Sequence, residues 1–352
     1  MIKIFYIKDK DLPFLINSLC ADYKVFSPLI KEIEGEKTDY SYNRLFKGDI
    51  PRFSAYRAVE PLKTFFTSPL EKVSGYFKEG VNFREPEKIV IFGVKSCDIQ
   101  GHKVQDFVFL EGQEKDSLYR ARRENTVLIS GDCTDFKNVC HCLAWEVLPH
   151  PTVGFDLNLS PLNDGYIVES GSDRGEAFIQ RYKDYFVPAK ETQVLARKAK
   201  RESFIERLRK HLLPQGLVSK AEVQRLMKDG YSADTWQKFM LTCVECAGCN
   251  LICDTCHCFL LSDEKDRDEF SRLKGWDCCQ YTNFSRVAGG ANPLKTRTQR
   301  LRNRFIKKFD FFIDNMGIPA CCGCGRCIEV CPGKIDIREV LKDVKDKVSR
   351  NK

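Results

Sequence analysis

The sequence predicts an α+β protein, with a mixed α/β domain over residues 1–230 and a mostly helical, cysteine-rich domain over residues 231–352. Short apolar strands followed by turns lie in the first half of the chain, and long charged helical patterns follow residue 174. Thirteen of the 18 cysteines lie between Cys243 and Cys331, so the thiols are concentrated in the second half. A chain of 352 residues with 43% hydrophobic content is long enough for two domains with buried cores.

The amino terminus is predicted to form a strand followed by a helix. Apolar residues alternate over positions 2–7, which is typical of a half-buried strand, and Asp11 precedes a helical pattern over 14–19. Residues 21–85 are poorly periodic and contain several turn signals, so no element is assigned there.

Two fully apolar strands are predicted further along the chain, at 89–92 and 126–129. The helix between them runs from Asp98 to Phe107, with Asp98 as its expected N-cap. Because strand, helix and strand follow one another, the two strands are predicted to pair in parallel within a mixed sheet.

A hairpin and two helices complete the first domain. Residues 154–159 and 166–169 are predicted to be the arms of the hairpin, joined by a turn at 163–165. Charged helical patterns over 195–212 and 220–229 predict a helical connector rather than a core.

Composition and charge exclude several classes of protein. The formal net charge of +8 is modest for this length, so nucleic-acid binding is not implied. No apolar run approaches the roughly 18 residues that a membrane span needs, and the first residues show no pattern of a secretory leader. We therefore expect the protein in the reducing cytoplasm, where clustered thiols bind metals rather than form disulfides.

One basic stretch, from Lys295 to Lys308, lies on a predicted helix. It is interpreted either as a solvated face or as a docking surface for an acidic partner. Phe305, Ile306 and Phe309 are expected to form the buried stripe of the same helix.

Two runs of cysteines share the spacing C-x2-C-x2-C-x3-C. The first run contains Cys243, Cys246, Cys249 and Cys253, and the second contains Cys321, Cys324, Cys327 and Cys331. This spacing is typical of ferredoxins that bind 4Fe-4S clusters, because three thiolates on one tight loop can hold three irons of a cube. Zinc is the alternative, although zinc sites usually use two separated C-x2-C pairs. The second domain is therefore predicted to be a ferredoxin-like unit with two 4Fe-4S clusters.

The fourth cysteine of each run is predicted to bind the cluster of the other run, as in two-cluster ferredoxins. One cluster would then be held by Cys243, Cys246, Cys249 and Cys331, and the other by Cys321, Cys324, Cys327 and Cys253. With all eight positions filled by protein, the chemistry that they support is electron transfer. The sequence contains no phosphate-binding loop and no nucleophile elbow, so no catalytic residue is assigned.

Four cysteines of the first domain are candidates for a third metal site. They are Cys97, Cys133, Cys140 and Cys142. Cys97 and Cys133 each follow a predicted parallel strand, and open sheets place their ligands at the carboxyl ends of such strands. A third 4Fe-4S cluster is one interpretation, and zinc or structural cysteine are the others.

Further cysteines have roles that the sequence leaves open. Those after the first run are Cys256, Cys258, Cys278 and Cys279. Another cluster, a reactive thiol group and a place in the core are the alternatives for them. His257 is interpreted as a hydrogen-bonding residue rather than a ligand, and Cys322 as a buried or free thiol.

The order of these motifs resembles a known family of iron-sulfur electron-transfer subunits. The segments that carry the resemblance are GVKSCDIQ at 93–100, GDCTDFKNVCHC at 131–142, GFDLNLS at 154–160, CVECAGCNLICDTCHCF at 243–259, WDCCQYTNFSRVAGGANP at 276–293 and CCGCGRCIEVCP at 321–332. The family includes the sulfhydrogenase beta subunit of cytoplasmic nickel-iron hydrogenases and the anaerobic sulfite reductase A subunit. The resemblance covers most of the chain after residue 85.

The resemblance implies a subunit of a hetero-oligomeric complex with at least two 4Fe-4S clusters. Such a subunit passes electrons between a flavin subunit that uses NAD(P) and a separate catalytic subunit. It also implies that the cysteines at 97, 133, 140 and 142 are a family feature. One departure is Asp254, which replaces the proline that usually follows the first run. Its carboxylate is expected either to lower the potential of a nearby cluster or to point to solvent.

Three functional hypotheses follow. The first is a non-catalytic relay subunit whose catalytic partner is a nickel-iron hydrogenase or a sirohaem sulfite reductase. The second is an enzyme whose amino-terminal domain binds a flavin or a substrate directly. The third is an iron-sulfur sensor, which the absence of a recognisable DNA-binding module in the sequence disfavours.

Overall fold

The computed structural model describes residues 4–33, 36–49, 53–76, 86–266 and 269–350, and it confirms an α+β fold. The strands are β1 (Ile4–Lys8), β2 (Lys24–Ile33), β3 (Glu36–Leu45), β4 (Leu70–Tyr76), β5 (Ile89–Val94), β6 (Thr126–Gly131), β7 (Leu157–Pro161), β8 (Gly165–Ser170), β9 (Val187–Pro188), β10 (Phe259–Asp266) and β11 (Glu269–Trp276). The helices are α1 (Leu12–Leu19), α2 (Ser96–Asp106), α3 (Ser117–Glu124), α4 (Asp173–Arg181), α5 (Glu191–Leu212), α6 (Lys220–Asp229), α7 (Thr235–Met240), α8 (Gly248–Leu251), α9 (Arg297–Ile306), α10 (Phe312–Met316), α11 (Arg326–Glu329) and α12 (Ile337–Arg350).

The larger sheet has eight strands in the order β3-β2-β5-β6-β7-β8-β1-β9. Strands β2, β5, β6 and β7 pair in parallel, and the other neighbours are antiparallel. The predicted parallel pairing of β5 with β6 is therefore confirmed, as is the hairpin formed by β7 and β8.

Both faces of this sheet are covered, which explains why its central strands are apolar throughout. Side chains alternate along β5, so Val90 and Phe92 enter one core while Ile91 enters the other. Residues of α1 and α4 cover the first face. Tyr119 of α3 is fully buried against the second face.

A separate core is built by α6, α7, α9 and α12. Val223 of α6, Trp236 of α7 and Phe305 of α9 are buried in it together with residues of α12. Trp145, in the short 3-10 turn Cys142–Trp145, enters the same core from the first half of the chain. Helix α6 therefore belongs to a core, whereas its charges predicted a connector. A helix needs only one apolar stripe for burial, and the charges occupy its other face.

The start of α2 corrects a predicted detail. Lys95 occupies the N-cap position, and the helix begins at Ser96. Asp98 lies inside the first turn, is fully buried and accepts a hydrogen bond from Arg326. Asp98 is thus a tertiary contact rather than a cap. The stretch 21–85, where no element was predicted, contains β2, β3 and β4.

A smaller sheet joins the two halves of the chain. Its order is β10-β11-β4, so a strand from the first half pairs antiparallel with the β10–β11 hairpin from the second. The domain division at residue 230 stays a prediction. Among the described residues, no helix is both long and apolar enough to cross a membrane.

Candidate functional site

The first group of thiols combines three cysteines of the first run with the last cysteine of the second. Its members are Cys243, Cys246, Cys249 and Cys331, and they line one cavity. Glu245 and Ala247 have positive φ angles of 55° and 61°, which turn the chain tightly between the first three thiols. Burial raises the pKa of Cys243 and of Cys249, and the charge of Cys331 adds to both shifts. Cys246 is the exposed member of the group.

The second group combines three cysteines of the second run with the last cysteine of the first. Its members are Cys253, Cys321, Cys324 and Cys327. Burial raises the pKa of Cys321 to about 12, and the charges of Cys253 and Cys324 contribute. Burial also raises the pKa of Cys327, with further contributions from the other three thiols. Cys253 thus lies beside the second run, where the predicted exchange of fourth ligands requires it. The ligand assignment itself stays a prediction.

The third group lies in the first half of the chain, beside the second group. Its members are Cys97, Cys133, Cys140 and Cys142, which line one cavity. The parallel pairing of β5 and β6 brings Cys97 and Cys133 together, because each follows one of these strands. Gly323 and Cys324 line the same cavity. The His141 backbone N–H donates to the Gly323 carbonyl at 2.8 Å, so the loop of the second run seals this side.

A close approach of two backbones requires glycine in the loop of the second run. Gly323 has a φ of 67°, and a Cβ atom at this position would lie 2.5 Å from Cys142 Cα. Gly325 has a φ of 74° and meets Val139 in the same way. Any side chain here would separate the second group from the third.

The chemistry of these donor sets fits iron-sulfur clusters. Thiols buried together repel one another once they are ionised, and a positively charged iron core offsets that repulsion. A 4Fe-4S cubane takes one thiolate on each of its four irons. In the first two groups, three of the four thiols come from one short loop, a spacing typical of clusters rather than of zinc.

The remaining cysteines of the second half form direct thiol contacts. The Cys256 thiol hydrogen-bonds to Cys253, and the Cys258 and Cys278 thiols both hydrogen-bond to Cys279. These bonds, together with one from Asn250 Nδ2 at 3.1 Å, lower the pKa of Cys279 to about 2. In the three groups, by contrast, the charges of neighbouring thiols contribute to a raised pKa of Cys243, Cys249, Cys321, Cys327, Cys133 and Cys142.

Cys322 and His257 each have a hydrogen-bond partner near the second group. The Cys322 thiol hydrogen-bonds to Cys324 and lowers the pKa of that thiol to about 6. His257 Nδ1 lies 3.1 Å from the Thr255 carbonyl, and burial lowers the pKa of His257 to about 4. A neutral ring that donates to a carbonyl agrees with its interpretation as a hydrogen-bonding residue.

Three cations of the predicted basic stretch are buried and face the cysteine runs. Arg300, Arg304 and Lys308 follow one another at four-residue intervals and are 2%, 5% and 5% exposed. Arg304 Nε donates to Asn250 Oδ1 at 2.8 Å, between the first and second groups. These three are thus neither a solvated face nor a docking surface. The regular spacing of these three cations in the sequence could have indicated that they share one face of the helix, since a four-residue interval places side chains on the same face.

The loop of the second run also carries a buried ion-pair network. Arg326 donates to Asp98 Oδ1 at 2.6 Å and to Asp254 Oδ2 at 3.0 Å. The Lys63 backbone N–H donates to Asp254 Oδ1 at 3.0 Å. Burial, together with the neighbouring Asp98, raises the pKa of Asp254 well above its usual range. Asp254 therefore does not point to solvent, which was one of the two outcomes expected for it.

Comparison with known proteins identifies the family of the cysteine-rich segment and a relative that aligns with most of the chain. Residues 242–335 match the family model of the 4Fe-4S dicluster domain, a span that includes both cysteine runs. The chain is also 32% identical over 336 residues to the sulfhydrogenase 2 subunit beta of Pyrococcus furiosus. That alignment covers 95% of this chain and 96% of the relative.

Proposed function

The chain belongs to the sulfhydrogenase beta subunit family, and we propose from this that it relays electrons inside a hetero-oligomeric oxidoreductase complex. One neighbour is a flavin subunit that uses NAD(P), and the other is a catalytic subunit of the nickel-iron hydrogenase type. The same relay role beside a sirohaem sulfite reductase is the alternative. The density of unpaired thiols supports a reducing, cytoplasmic setting.

The observation that carries the proposal is the continuity of the three thiol groups. Cys249 of the first group interacts with Cys253 of the second through their charges. Cys324 of the second group lines the cavity of the third. When bound, 4Fe-4S clusters supply carriers that each accept or release one electron. Groups in direct succession suit transfer through the chain rather than chemistry on a substrate.

The residues proposed to hold the clusters are those of the three groups. The first and second groups would each hold one 4Fe-4S cluster, in agreement with the dicluster domain match. The third group would hold a third cluster. The protein's own contribution is to bury the thiols, to exclude water and to fix the order of the groups.

Electrons can enter or leave where the first group meets the surface. Cys246 is exposed, and the flanking Leu241 and Val244 are 77% and 64% exposed. Exposed apolar side chains beside a redox site are typical of a partner interface. The third group, which lies beyond the second, would serve the opposite partner.

The competing proposal, a flavin or substrate site in the amino-terminal domain, has one feature in its favour. A groove beside Cys133 is lined by the cations Arg197, Lys200, Arg201 and Arg207. Arg201, however, is bonded to Asp132 and Glu169, which neutralise much of its charge. The groove is therefore a weaker candidate than the thiol groups.

Anaerobic co-purification followed by reduction with NAD(P)H tests the relay. We expect the isolated, cluster-loaded chain to lack flavin and to stay oxidised with NAD(P)H, and the complex to show cluster reduction by electron paramagnetic resonance. A nickel-containing partner would indicate a hydrogenase, and a sirohaem protein would indicate a sulfite reductase. Flavin bound to the isolated chain, with direct oxidation of NAD(P)H, would overturn the proposal.

A further inference from the structure

Among the described residues, the second thiol group receives a hydrogen bond from a buried cation, and no such bond reaches a thiol of the first group. We propose that Lys308, held in place by Thr255, raises the reduction potential of the cluster held by the second group above that of the cluster held by the first. The second group would then be the position where an electron rests between the two partners. This inference depends on the proposed function, because it concerns clusters bound at these thiols.

Lys308 is placed for this role by an irregular turn of its helix. Residues Lys307–Phe311 form a π-helical turn between α9 and α10, a feature that often marks a functional position. Lys308 Nζ donates to Cys253 Sγ at 3.4 Å, to Thr255 Oγ1 at 2.7 Å and to the Ala320 carbonyl at 3.0 Å. An ammonium group has three protons, so all of them are used and one points at a proposed cluster ligand.

Thr255 holds the Lys308 ammonium group beside the same sulfur, because its Oγ1 accepts from Lys308 Nζ at 2.7 Å. Its Oγ1 lies 3.1 Å from Cys253 Sγ and 2.6 Å from the Ala320 carbonyl. A carbonyl oxygen can only accept, so the single hydroxyl proton of Thr255 goes to Ala320. Thr255 therefore fixes the position of the ammonium group, and Lys308 supplies the charged hydrogen bond to the sulfur.

Among the described residues, the first group receives hydrogen bonds from the backbone rather than from a cation. The Ile335 backbone N–H donates to Cys331 Sγ at 3.4 Å, and a backbone hydrogen bond from Glu245 reaches Cys243. Cys249 Sγ contacts Asn250 Oδ1 at 3.7 Å, but that oxygen can only accept. Arg304 interacts through its charge with thiols of both groups, Cys249 and Cys327 among them, so it is not specific to the first group.

A charged donor beside one cluster affects the reduction potential of that cluster, because reduction adds negative charge to the cluster and its sulfurs. Donors and a buried cation stabilise the reduced state more than the oxidised state. Removing one charged donor should therefore change the ratio of oxidised to reduced cluster at a fixed potential by about tenfold, equivalent to about 59 mV for one electron.

A redox titration of the full-length, cluster-loaded chain, followed by electron paramagnetic resonance, tests the inference. Lys308→Met removes the charge and the donor at nearly constant length. We expect it to lower the midpoint potential of the second-group cluster by about that amount and to leave the first-group cluster unchanged. Lys308→Arg keeps a charged donor and should restore most of the native value. Cys246→Ser and Cys324→Ser assign the two signals.

Lys307→Met is the matched control, since Lys307 is the adjacent lysine and no hydrogen bond within the described part of the chain joins it to a thiol of the second group. It should leave both midpoint potentials unchanged. If Lys308→Met fails to hold a cluster, Lys308→Gln decides, because it removes the charge but keeps a neutral donor and should give a smaller shift in the same direction. Unchanged potentials, or equal shifts of both clusters, would overturn this inference alone. Absence of any reducible cluster in the native chain would overturn the proposed function as well.

Discussion

Arg326 donates a hydrogen bond to Asp98 at 2.6 Å, and both side chains are fully buried, at 1% and 0% exposure. Arg326 lies between two proposed ligands of the second group, while Asp98 follows Cys97 of the third. The same guanidinium also holds Asp254, which follows Cys253. One buried ion-pair network therefore connects the loops of the second and third thiol groups.

Loss of this guanidinium should strongly destabilise the protein. Arg326→Met leaves Asp98 and Asp254 buried without their cation, and breaking a buried ion pair in this way costs about 3–5 kcal/mol. Chemical denaturation of the loaded chain measures the free energy of unfolding. Arg120→Met, on the exposed side of α3, is the control and should change it by less than about 0.5 kcal/mol.

Removing one of the two carboxylates that are left without a cation should restore part of the lost stability. The double variant Arg326→Met with Asp98→Asn is expected to be more stable than Arg326→Met alone, because a neutral amide is less costly to bury than a carboxylate. Equal stability of the double and single variants would show that the ion pair is not the cause.

A methyl group at Gly101 should disturb the contact between α2 and the first cysteine run. A Cβ atom there would clash with Asp254 Cβ, next to Cys253. We expect Gly101→Ala to lower the unfolding free energy by about 1–3 kcal/mol, the usual cost of overpacking. Gly112→Ala, whose Cβ would have no neighbour closer than 3.6 Å among the described residues, is the control. If thermal unfolding shows the same loss of stability in both variants, the proposed effect of the contact with Asp254 is wrong.

The exchange of fourth ligands can be tested by the additivity of paired substitutions. Cys246→Ser and Cys331→Ser are expected to remove the same cluster, so their combination should lose no more iron than either one alone. Cys246→Ser with Cys253→Ser should lose about twice as much, because these residues serve different clusters. Iron and acid-labile sulfide assays provide the measurement. If Cys246 and Cys253 bind the same cluster instead, the two results will be reversed.

The third group can be tested by iron stoichiometry. Anaerobically purified chain should contain about twelve irons, and Cys142→Ser should reduce this to about eight. Cys20→Ser is the control, because Cys20 lies outside all three groups and contacts the Leu45 carbonyl. About eight irons in the native chain would exclude a third cluster.

Local patterns in the sequence were sufficient to predict the elements that contain a continuous or regularly spaced set of apolar residues. The apolar strands β5 and β6 were predicted because both faces of the sheet are covered, which leaves a continuous apolar run. The stripe of Phe305, Ile306 and Phe309 was also predicted, and all three are buried. Strands β2 and β3, of which β3 lies at the edge of the sheet, were missed because polar and aromatic residues are mixed along both.

The sequence by itself determined the cysteine-rich half of the protein, because the thiols proposed to hold each cluster lie largely within one short loop. It also indicated the third group, since the ends of neighbouring parallel strands converge. The tertiary structure alone decided which charged side chains face those thiols. Arg326 meets Asp98 across 228 residues, and Lys308 meets Cys253 across 55. Such pairings depend on how the two halves pack, and no local spacing of residues encodes that packing.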